Sequence, residues 1–501
     1  MGIKAAVSKP IAKYLVNSRA RKYQDPVKLQ NEVFKGLIKS ATKTAFGADH
    51  SFSDSWGHVE FSQAVPLREY EAFRPYIDQI LNGEQNVLWP GKPLYLCKTS
   101  GTTSGLKYIP LTRESLPNHI GSARMALMSY IAETNKSGFV DGKMIFLQGS
   151  PVLEPHEKSG IPFGRLSGIV ANHVPAYLLK NRMPSYDVNC IEDWETKVDA
   201  IVKQTLKEDM RLISGIPSWV QMYFEKLIAE SGKSSIKNIF PNFSLFVYGG
   251  VNFEPYRQRF EKLIGGAVPS LELYPASEGF IAYQNSQQDD GLLLVLDEGI
   301  FYEFIEASEY LSSDAKRRTI ADVKIGVNYV IVLSTNAGLW SYVIGDTIKF
   351  TSLDPPKIRV SGRISHYTSA FGEHVIAEEV ERALVNALAS FPNQILEFTV
   401  APQIQPESGL PYHEWFIEFG SEPVDLSGFA KAIDEDMQKQ NAYYKDLIKG
   451  HVLQHLKISQ VKPGAFNEYM KSVGRLGGQN KVPRLSNDRK IADFLSNLIV
   501  A

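Results

Sequence analysis

Two patterns of apolar residues follow one another along the chain. In roughly the first 80 residues the spacing is helical, as in NEVFKGLIKSATKTAF and in YEAFRPYIDQILNG, which ends on Gly83 as helices commonly do. From about residue 94 short apolar runs take over, each ending near Gly, Ser or Thr: PLYLC, KMIFLQG, LFVYGG, LELY and NYVIVLST. Helical segments separate several of them, such as SWVQMYFEKLIAE and EPYRQRFEKLI. This alternation predicts an α/β domain with a mainly parallel sheet, whose ligands gather at the carboxyl ends of the strands.

A second domain is predicted after the segment SLDPPKIRVSGR. Pro355 and Pro356 are expected to interrupt regular structure, and Gly362 offers a flexible joint. Beyond it follow the helical IAEEVERALVNAL, the strand-like ILEFTVAPQ, the alternating HEWFIEFG and a helix from Leu426 to Gln440. Because single cores stop growing near about 250–300 residues, we predict a large N-terminal domain over 1–362 and a small, mobile α+β lid over 363–501.

Charge and cysteine content narrow the choice of partners and compartment. The chain holds 54 Lys+Arg against 55 Asp+Glu, a formal net charge of -1, so no global field favours nucleic acid or an anionic membrane. Its two cysteines match no metal spacing and fit a reducing cytoplasm. No 18-residue apolar run or secretory signal is present, and Ala6 breaks the myristoylation pattern. We therefore expect a cytoplasmic protein without a stable membrane anchor, and we favour a monomer.

A cluster of small polar residues follows the predicted strand PLYLC. Closely spaced backbone N–H groups, hydroxyls and glycines suit a phosphate, although such a cluster also occurs in solvated surface loops. A Walker A loop is excluded, because the two glycines are too close together, Lys107 does not follow the second one directly, and Tyr108 replaces the required hydroxyl. The candidate phosphate-binding residues are Thr99, Ser100, Gly101, Thr102 and Thr103.

The segment TSGTTSGLKYIPLT resembles the first core motif of the adenylate-forming superfamily, which includes acyl-CoA ligases and luciferases. It is most similar to the version in the plant auxin-responsive acyl-acid amido synthetases and their bacterial relatives, with Thr99 replacing the first serine of that motif. Further family-like segments occur in the expected order: TAFGADHSF, VYGGVNFEP, LYPASEG, WSYVIGDTIKF, RVSGR and LGGQNKVPRL. The resemblance therefore extends over nearly the whole chain.

The resemblance implies a fold, two cofactors and a set of roles. In this family a tyrosine stacks on adenine, a glutamate reaches Mg²⁺, an aspartate accepts hydrogen bonds from the ribose, and a lysine from the C-terminal closing loop meets the α-phosphate of ATP. The catalytic residues implied here are Lys481, Glu278 and Lys107, with Glu278 also the metal ligand. Besides the phosphate loop, the nucleotide-binding residues implied are Gly249, Gly250, Val251, Tyr274, Ser277, Tyr342, Asp346 and Arg363.

Each implied residue also has an ordinary structural interpretation. Tyr274 and Tyr342 would serve equally as core aromatics, and Glu278 as a carboxylate at a helix start. Asp346 would suit a turn and Lys481 a solvated loop. The occurrence of these five residues in the family order favours the functional interpretation.

The acyl pocket is less clearly marked in the sequence. In this family, helices between the phosphate loop and the adenine turn help to form it, which here points to Trp219, Tyr223 and Met125, each equally compatible with a core position. His366, just past the predicted joint, is a weak candidate for a base. His451 and His455 have a zinc-compatible spacing, but no third ligand is evident.

The predicted activity is an ATP-dependent ligation. The enzyme would convert a small carboxylic acid into an acyl adenylate and pass the acyl group to an amino acid or another amine, releasing AMP and pyrophosphate. Two alternatives stay open: an acyl-CoA ligase with the same adenylation step, and a nucleotide-binding regulator without catalysis. The sequence identifies neither the acid nor the amine.

Overall fold

The architecture is that of a computed structural model of the 501-residue chain. The structure describes residues 2–100, 106–174, 179–250, 253–289, 291–310, 312, 314–364, 367–368, 375–450, 452–476, 481–486 and 488–500. Within these ranges, helices dominate the first 81 residues and the first strand begins at Tyr95.

Five helices form the N-terminal part: α1 (Ile3–Lys22), α2 (Pro26–Ala41), α3 (Ala45–Asp49), α4 (His58–Ala64) and α5 (Tyr70–Leu81). Helix α5 buries Phe73, Ile77 and Ile80 at helical spacing and is followed by Gly83 at φ +97°, so the prediction for this segment is confirmed. The predicted helix NEVFKGLIKSATKTAF is divided in two. The Thr44 hydroxyl accepts a hydrogen bond from the Gly47 N–H at 3.0 Å and caps a new helix there.

The rest of the large domain alternates helices with strands. A 3₁₀ turn spans Gly138–Asp141. The helices are α6 (Leu116–Thr134), α7 (Leu166–Ala171), α8 (Tyr186–Asn189), α9 (Trp194–Thr205), α10 (Pro217–Ser231), α11 (Ile236–Ile239) and α12 (Glu254–Ile264). The strands are β1 (Tyr95–Ser100), β2 (Leu106–Leu111), β3 (Lys143–Phe146), β4 (Glu154–Pro155), β5 (Pro162–Gly164), β6 (Arg182–Met183), β7 (Met210–Ser214), β8 (Leu245–Gly249), β9 (Ser270–Ala276), β10 (Gly279–Gln284), β11 (Leu292–Leu294), β12 (Ile300–Glu306), β13 (Asn328–Thr335), β14 (Tyr342–Leu353) and β15 (Pro356–Arg363).

An eleven-stranded sheet, in the order β12-β13-β14-β15-β11-β10-β9-β8-β7-β3-β6, organises this domain. The half that runs from β9 to β6 is parallel, as predicted. The half that runs from β10 to β12 is antiparallel, which differs from the expected mainly parallel sheet. Tight turns between successive strands, such as the one joining β9 to β10, impose that direction.

A second, four-stranded sheet carries the predicted phosphate segment. Its order is β2-β1-β5-β4, with β1 antiparallel to β2 and parallel to β5. The segment 101–105 that joins β1 to β2 lies outside the described residues. The register of the hairpin places Thr99 opposite Lys107, next to that joining segment.

The segment expected to contain a break is instead a hairpin. Leu353 pairs with Pro356 across a tight turn, so Pro355 occupies the turn and Pro356 begins β15. Gly362 lies within β15, one residue before the strand ends. The boundary that the sequence predicts, between 362 and 363, falls at the end of this strand.

The C-terminal residues form a separate domain with its own cores. Its three-stranded sheet has the order β18 (Ile395–Gln403), β19 (Tyr412–Phe419) and β20 (Lys457–Val461). Helix α14 (Leu426–Gln440) has the predicted bounds and is capped by Asp425, whose carboxylate accepts from the Gly428 N–H at 2.9 Å. The elements are β16 (Tyr367–Thr368), β17 (Val375–Ile376), α13 (Ala377–Ser390), β18 (Ile395–Gln403), β19 (Tyr412–Phe419), α14 (Leu426–Gln440), α15 (Ala442–Lys449), β20 (Lys457–Val461), α16 (Ala465–Ser472) and α17 (Lys490–Ser496).

Candidate active site

The turn between β9 and β10 presents two of the predicted residues. Ala276 pairs with Gly279, which leaves Ser277 and Glu278 as the two residues of the turn. The Ser277 hydroxyl accepts a hydrogen bond from the thiol of Cys97 at 3.3 Å, so the turn is tied to β1. The turn and the phosphate hairpin are therefore neighbours.

Glu278 is a half-buried carboxyl group facing a tyrosine. Burial raises its pKa, and a hydrogen bond from the phenol of Tyr342 partly opposes that shift. A nearby cation stabilises the ionised form of a carboxylate that is partly dehydrated in this way. The placement is compatible with the predicted role as a metal ligand.

Three predicted nucleotide-binding residues form one hydrogen-bonded group. The phenol of Tyr274 donates to Asp346 Oδ2 at 2.5 Å, and Arg363 Nε lies 2.8 Å from Asp346 Oδ1. The register of β14 and β15 pairs Asp346 directly with Arg363, so the sheet itself sets this contact. Burial, followed by the charge of Asp346, raises the pKa of Tyr274 and keeps its phenol protonated as a donor. The structure thus brings these three residues together at the end of β15.

The glycine turn after β8 requires small residues. At Gly249 a Cβ would collide with the backbone carbonyl of Leu273 on β9, and Gly250 has φ +83°. These constraints explain both glycines, whereas Val251 lies outside the described residues. The turn leaves an open approach to the backbone beside the strand that carries Tyr274.

A lysine of the C-terminal domain occupies that approach. The ammonium group of Lys481 fills the space that a Cβ at Gly250 would take. The loss of water around it lowers the pKa of Lys481 to about 8, while the carboxylate of Asp346 opposes the shift. Lys481 is an exposed residue by its side-chain surface, and its ammonium group reaches the large domain at Gly250, near the Asp346 group.

We expect Lys481 to show its lowered pKa in chemical labelling. Only the neutral amine reacts with acetic anhydride, and ordinary lysines titrate near about 10.4. Competitive acetylation from pH 6 to 11, read by mass spectrometry, should give Lys481 a midpoint near pH 8. The exposed Lys490 supplies the comparison profile in the same digest. A midpoint near pH 10.4 would show that Lys481 stays in solvent.

A buried arginine holds the Lys481 segment in place. Arg484 forms an ion pair with Glu397 on β18 and donates a hydrogen bond to the phenol of Tyr256 on α12. Its guanidinium also lies 4.6 Å from the ring centroid of Phe398. The Tyr256 phenol donates to Glu397 Oε1 at 2.9 Å, which closes the contact between the two domains. This group was not predicted from the sequence; its only sequence signal is the position of Arg484 three residues after Lys481.

The phosphate hairpin is only partly described. Thr99 and Ser100 close β1, while Gly101, Thr102 and Thr103 lie outside the described residues. Lys107 is half-buried, with its Nζ 5.3 Å from the ring centroid of Tyr70. The cation-π contact gives Lys107 a fixed position at the start of β2.

The three predicted acyl-pocket residues are not gathered together. Met125 belongs to the core below the large sheet, whereas Trp219 and Tyr223 belong to a separate core around α10. Tyr223 is fully covered and donates its hydroxyl to Thr205 Oγ1 at 2.7 Å, and Trp219 packs 4.6 Å from Trp194, centroid to centroid. In this structure Tyr223 presents no surface to a substrate.

The histidine alternatives find no support among the described residues. The Nδ1 of His455 bonds to the buried carboxylate of Asp434 at 2.6 Å, within the C-terminal domain. His366 and His451 lie outside the described residues. Within the described ranges, no group of three or more His, Cys, Asp or Glu is arranged to hold a metal ion.

Replacing Asp346 tests the hydrogen-bonded group. Asp346→Asn removes the negative charge that pairs with Arg363 and weakens the acceptor for the Tyr274 phenol. Because hydrogen bonds to charged groups contribute about 1.5–3 kcal/mol, we expect the KM for ATP to rise about tenfold or more. Asp289→Asn is the matched control, because Asp289 pairs with Lys357 at 2.7 Å at the exposed end of the neighbouring strand. Equal KM values for the two variants would remove Asp346 from the nucleotide site.

Solved structures define the class of protein. The Arabidopsis enzyme described as GH3.15 acyl acid amido synthetase superposes with a TM-score of 0.79 at 18% identity, covering 98% of this chain and 97% of that one. A 2-hydroxyisobutyryl-CoA ligase in its postadenylation state superposes with a TM-score of 0.62 at 15% identity, covering 95% and 93%. The fold is therefore that of the adenylate-forming ligases.

Family models then identify the family. The GH3 family N-terminal domain matches residues 19–188 and 166–269, the central domain matches 293–363 and the C-terminal domain matches 378–490. The chain belongs to the GH3 family.

Curated relatives of the chain are plant enzymes. The indole-3-acetic acid-amido synthetase GH3.15 of Arabidopsis thaliana is 23% identical over 522 residues, 88% of this chain and 87% of that one. The jasmonoyl-L-amino acid synthetase JAR4 of Nicotiana attenuata is 21% identical over 538 residues, 92% and 91%. The expected resemblance to amido synthetases is thus confirmed. Within the described ranges, no helix is both long and apolar enough to traverse a bilayer.

Proposed function

We propose that this protein activates a small carboxylic acid with ATP and transfers the acyl group to an amino acid or another amine. The observation that carries the proposal is the approach of Lys481, from the C-terminal domain, to Gly250 in the large domain. Its ammonium group is also close enough to Asp346 for that carboxylate to affect its pKa. A nucleotide whose ribose binds Asp346 would present its α-phosphate to this lysine.

In the first half-reaction a carboxylate oxygen of the acid attacks the α-phosphorus of ATP. The bond from that phosphorus to the oxygen bridging to the β-phosphate breaks, and pyrophosphate leaves. Lys481 would stabilise the charge that grows on the α-phosphate, and Lys107 and the residues of the 99–103 loop would hold the β- and γ-phosphates. Preorganised donors of this kind are commonly worth about 10²–10³ in rate each.

Glu278 is the residue that would hold Mg²⁺. Magnesium usually takes one or two carboxylates together with phosphate oxygens and water, so a single carboxylate on an accessible turn is sufficient. The raised pKa of Glu278 reflects burial, and a bound dication would favour its ionised form. When bound, the metal would neutralise charge on the β- and γ-phosphates.

In the second half-reaction the amine nitrogen attacks the acyl carbon of the adenylate. The bond between that carbon and the phosphate oxygen breaks, AMP leaves, and the nitrogen gives up a proton to solvent water. Holding the adenylate and the amine in line can supply an effective molarity of about 10⁵–10⁸ M. Alignment of the two reactants is therefore the protein's main contribution to the rate of this step.

The relatives support the substrate classes in this proposal. Their names describe amido synthetases of indole-3-acetic acid and jasmonoyl-amino acid synthetases, which join a carboxylic acid to an amine. We extend that class, a small acid and an amino acid, to this chain. A cytoplasmic, monomeric enzyme is part of the same proposal.

Incubation with ATP, Mg²⁺ and mixed carboxylic acids and amines, followed by mass spectrometry, tests the proposal. We expect AMP, pyrophosphate and a new amide, and ATP–pyrophosphate exchange that requires an acid but no amine. Formation of ADP would contradict adenylation. Turnover with coenzyme A but not with amines would identify an acyl-CoA ligase. This alternative is tested because the fold is also similar to that of a 2-hydroxyisobutyryl-CoA ligase. Nucleotide binding without any turnover would favour a regulator.

A further inference from the structure

Helix α1 is held to the large domain along one side only. Ala5 and Ala12 are fully buried on that side, where the helix packs against α6. Its first turn is tied down by Asp141, whose carboxylate accepts from the N–H groups of Gly2 at 2.6 Å and Ala5 at 3.1 Å. The outer side of the helix is therefore presented in a fixed orientation.

That outer side carries an apolar stripe. Ile3, Val7, Ile11 and Tyr14 are 85%, 51%, 47% and 73% exposed. Their spacing of four, four and three residues places them on one helix face, over a length of about 17 Å. A contiguous apolar surface of this kind marks an interaction site, whereas single exposed apolar residues do not.

The same helix is strongly basic. Between residues 2 and 24 the chain has no acidic residue and six basic ones, namely Lys4, Lys9, Lys13, Arg19, Arg21 and Lys22. Arg19 and Lys22 pair with acidic residues of the large domain. Across the described part of the chain, Lys9, Lys13 and Arg21 have no carboxylate partner. Lys13 and Arg21 are exposed and flank the apolar stripe, whereas Lys9 is half-buried towards the side that packs on α6. Positive charge thus borders the stripe, although the whole chain carries a net charge of -1.

We propose that α1 binds reversibly to an anionic lipid surface through this stripe. The four side chains protrude from a convex helix, and a bilayer can admit them without a preformed groove, while Lys13 and Arg21 meet anionic headgroups. A second copy of the chain fits less well, because a two-fold contact would set the same unpaired cations against each other. The stripe also precedes residue 19, where the family models begin, so it lies outside the part of the chain that they describe.

Vesicle flotation with the full chain tests this inference. We expect binding to phosphatidylcholine vesicles that contain phosphatidylglycerol, with at least about tenfold weaker binding to phosphatidylcholine alone and a decrease at high salt. The pair Ile3→Asp and Ile11→Asp should weaken binding on the order of tenfold, and Lys13→Glu with Arg21→Glu should do the same. Val59→Asp is the matched control, since Val59 is a 62% exposed apolar residue on α4.

Contrary outcomes are equally specific. Thermal unfolding of the variants should match that of the parent protein, because all four substituted side chains lie at the surface. Absence of binding to anionic vesicles, or binding unchanged by the Ile3→Asp and Ile11→Asp pair, would overturn the inference. Self-association in sedimentation velocity that Ile11→Asp abolishes would show instead that the stripe joins two copies of the chain.

Discussion

Lys481→Ala should reduce ATP–pyrophosphate exchange by about 10²–10³-fold. The reason is electrostatic: the variant lacks the cation that lies against Gly250, where the proposed α-phosphate would gain negative charge. The fold should survive, because shortening the side chain empties a position at the domain junction and leaves the apolar cores unchanged. An unchanged melting temperature together with the loss of exchange would locate the defect in the chemical step.

A second lysine makes this experiment specific. Lys490→Ala removes a cation of the same domain that is 83% exposed and 3.5 Å from Asp488. It should leave exchange unaltered, since exposed ion pairs contribute about 0–1 kcal/mol and Lys490 begins α17, outside the closing loop. If Lys481→Ala exchanged pyrophosphate as well as Lys490→Ala does, Lys481 would not be part of the adenylation site.

Arg484→Met should destabilise the C-terminal domain by about 3–5 kcal/mol. Arg484 is 8% exposed and lies between two acidic groups, Glu397 and Glu381, the latter 3.7 Å away. Methionine retains much of the volume but leaves these carboxylates buried without their cation, which costs more than the loss of one hydrogen bond. Urea unfolding followed by tryptophan fluorescence would report the change, because Trp415 is in the same core.

Tyr256→Phe separates docking of the domains from their stability. The ring remains, but the hydroxyl that donates to Glu397 and accepts from Arg484 is removed, so the Lys481 segment loses its contact with α12. We expect a loss of about 0.5–1.5 kcal/mol in stability and a clear fall in pyrophosphate exchange. Tyr302→Phe is the control: it removes a buried hydroxyl bonded to the Val295 carbonyl at 2.9 Å, on β12 at the edge of the large sheet. Equal exchange rates would show that the Tyr256 contact is only structural.

The elements with strong local signals were predictable from the sequence. Helix α14 and the end of α5 follow from apolar spacing, a capping aspartate and a glycine. The direction of the strands did not follow, because a buried strand is apolar on both faces whether its neighbour is parallel or antiparallel. The proline pair at 355–356 was misjudged for a related reason: the same residues that interrupt a strand also make the tight turn of a hairpin.

The residues of the candidate site also differ in how far the sequence could predict them. Glu278 and Asp346 lie in recognisable motifs, and the structure adds their partners, Tyr342 for one and Arg363 for the other. Arg484 could not be predicted, because an arginine near the end of a chain is normally solvated and only the packing of two domains shows that it is buried. Tyr223 was predicted for the acyl pocket but lies in a hydrophobic core. The sequence could not separate these two positions, because an aromatic residue on a helix has the same spacing in a core as in a pocket.

The Asp346–Arg363 pair suggests where an optical reporter would be most informative. Asp346 is the proposed ribose contact, and Arg363 is the last residue of β15, immediately before the segment that leads to the C-terminal domain. Binding of a nucleotide to Asp346 would therefore affect the position of Arg363, at the start of the connecting segment, through their 2.8 Å ion pair. With a donor dye on the exposed face of α14 and an acceptor dye on α4, energy transfer between the two domains would follow turnover continuously, without detection of the product.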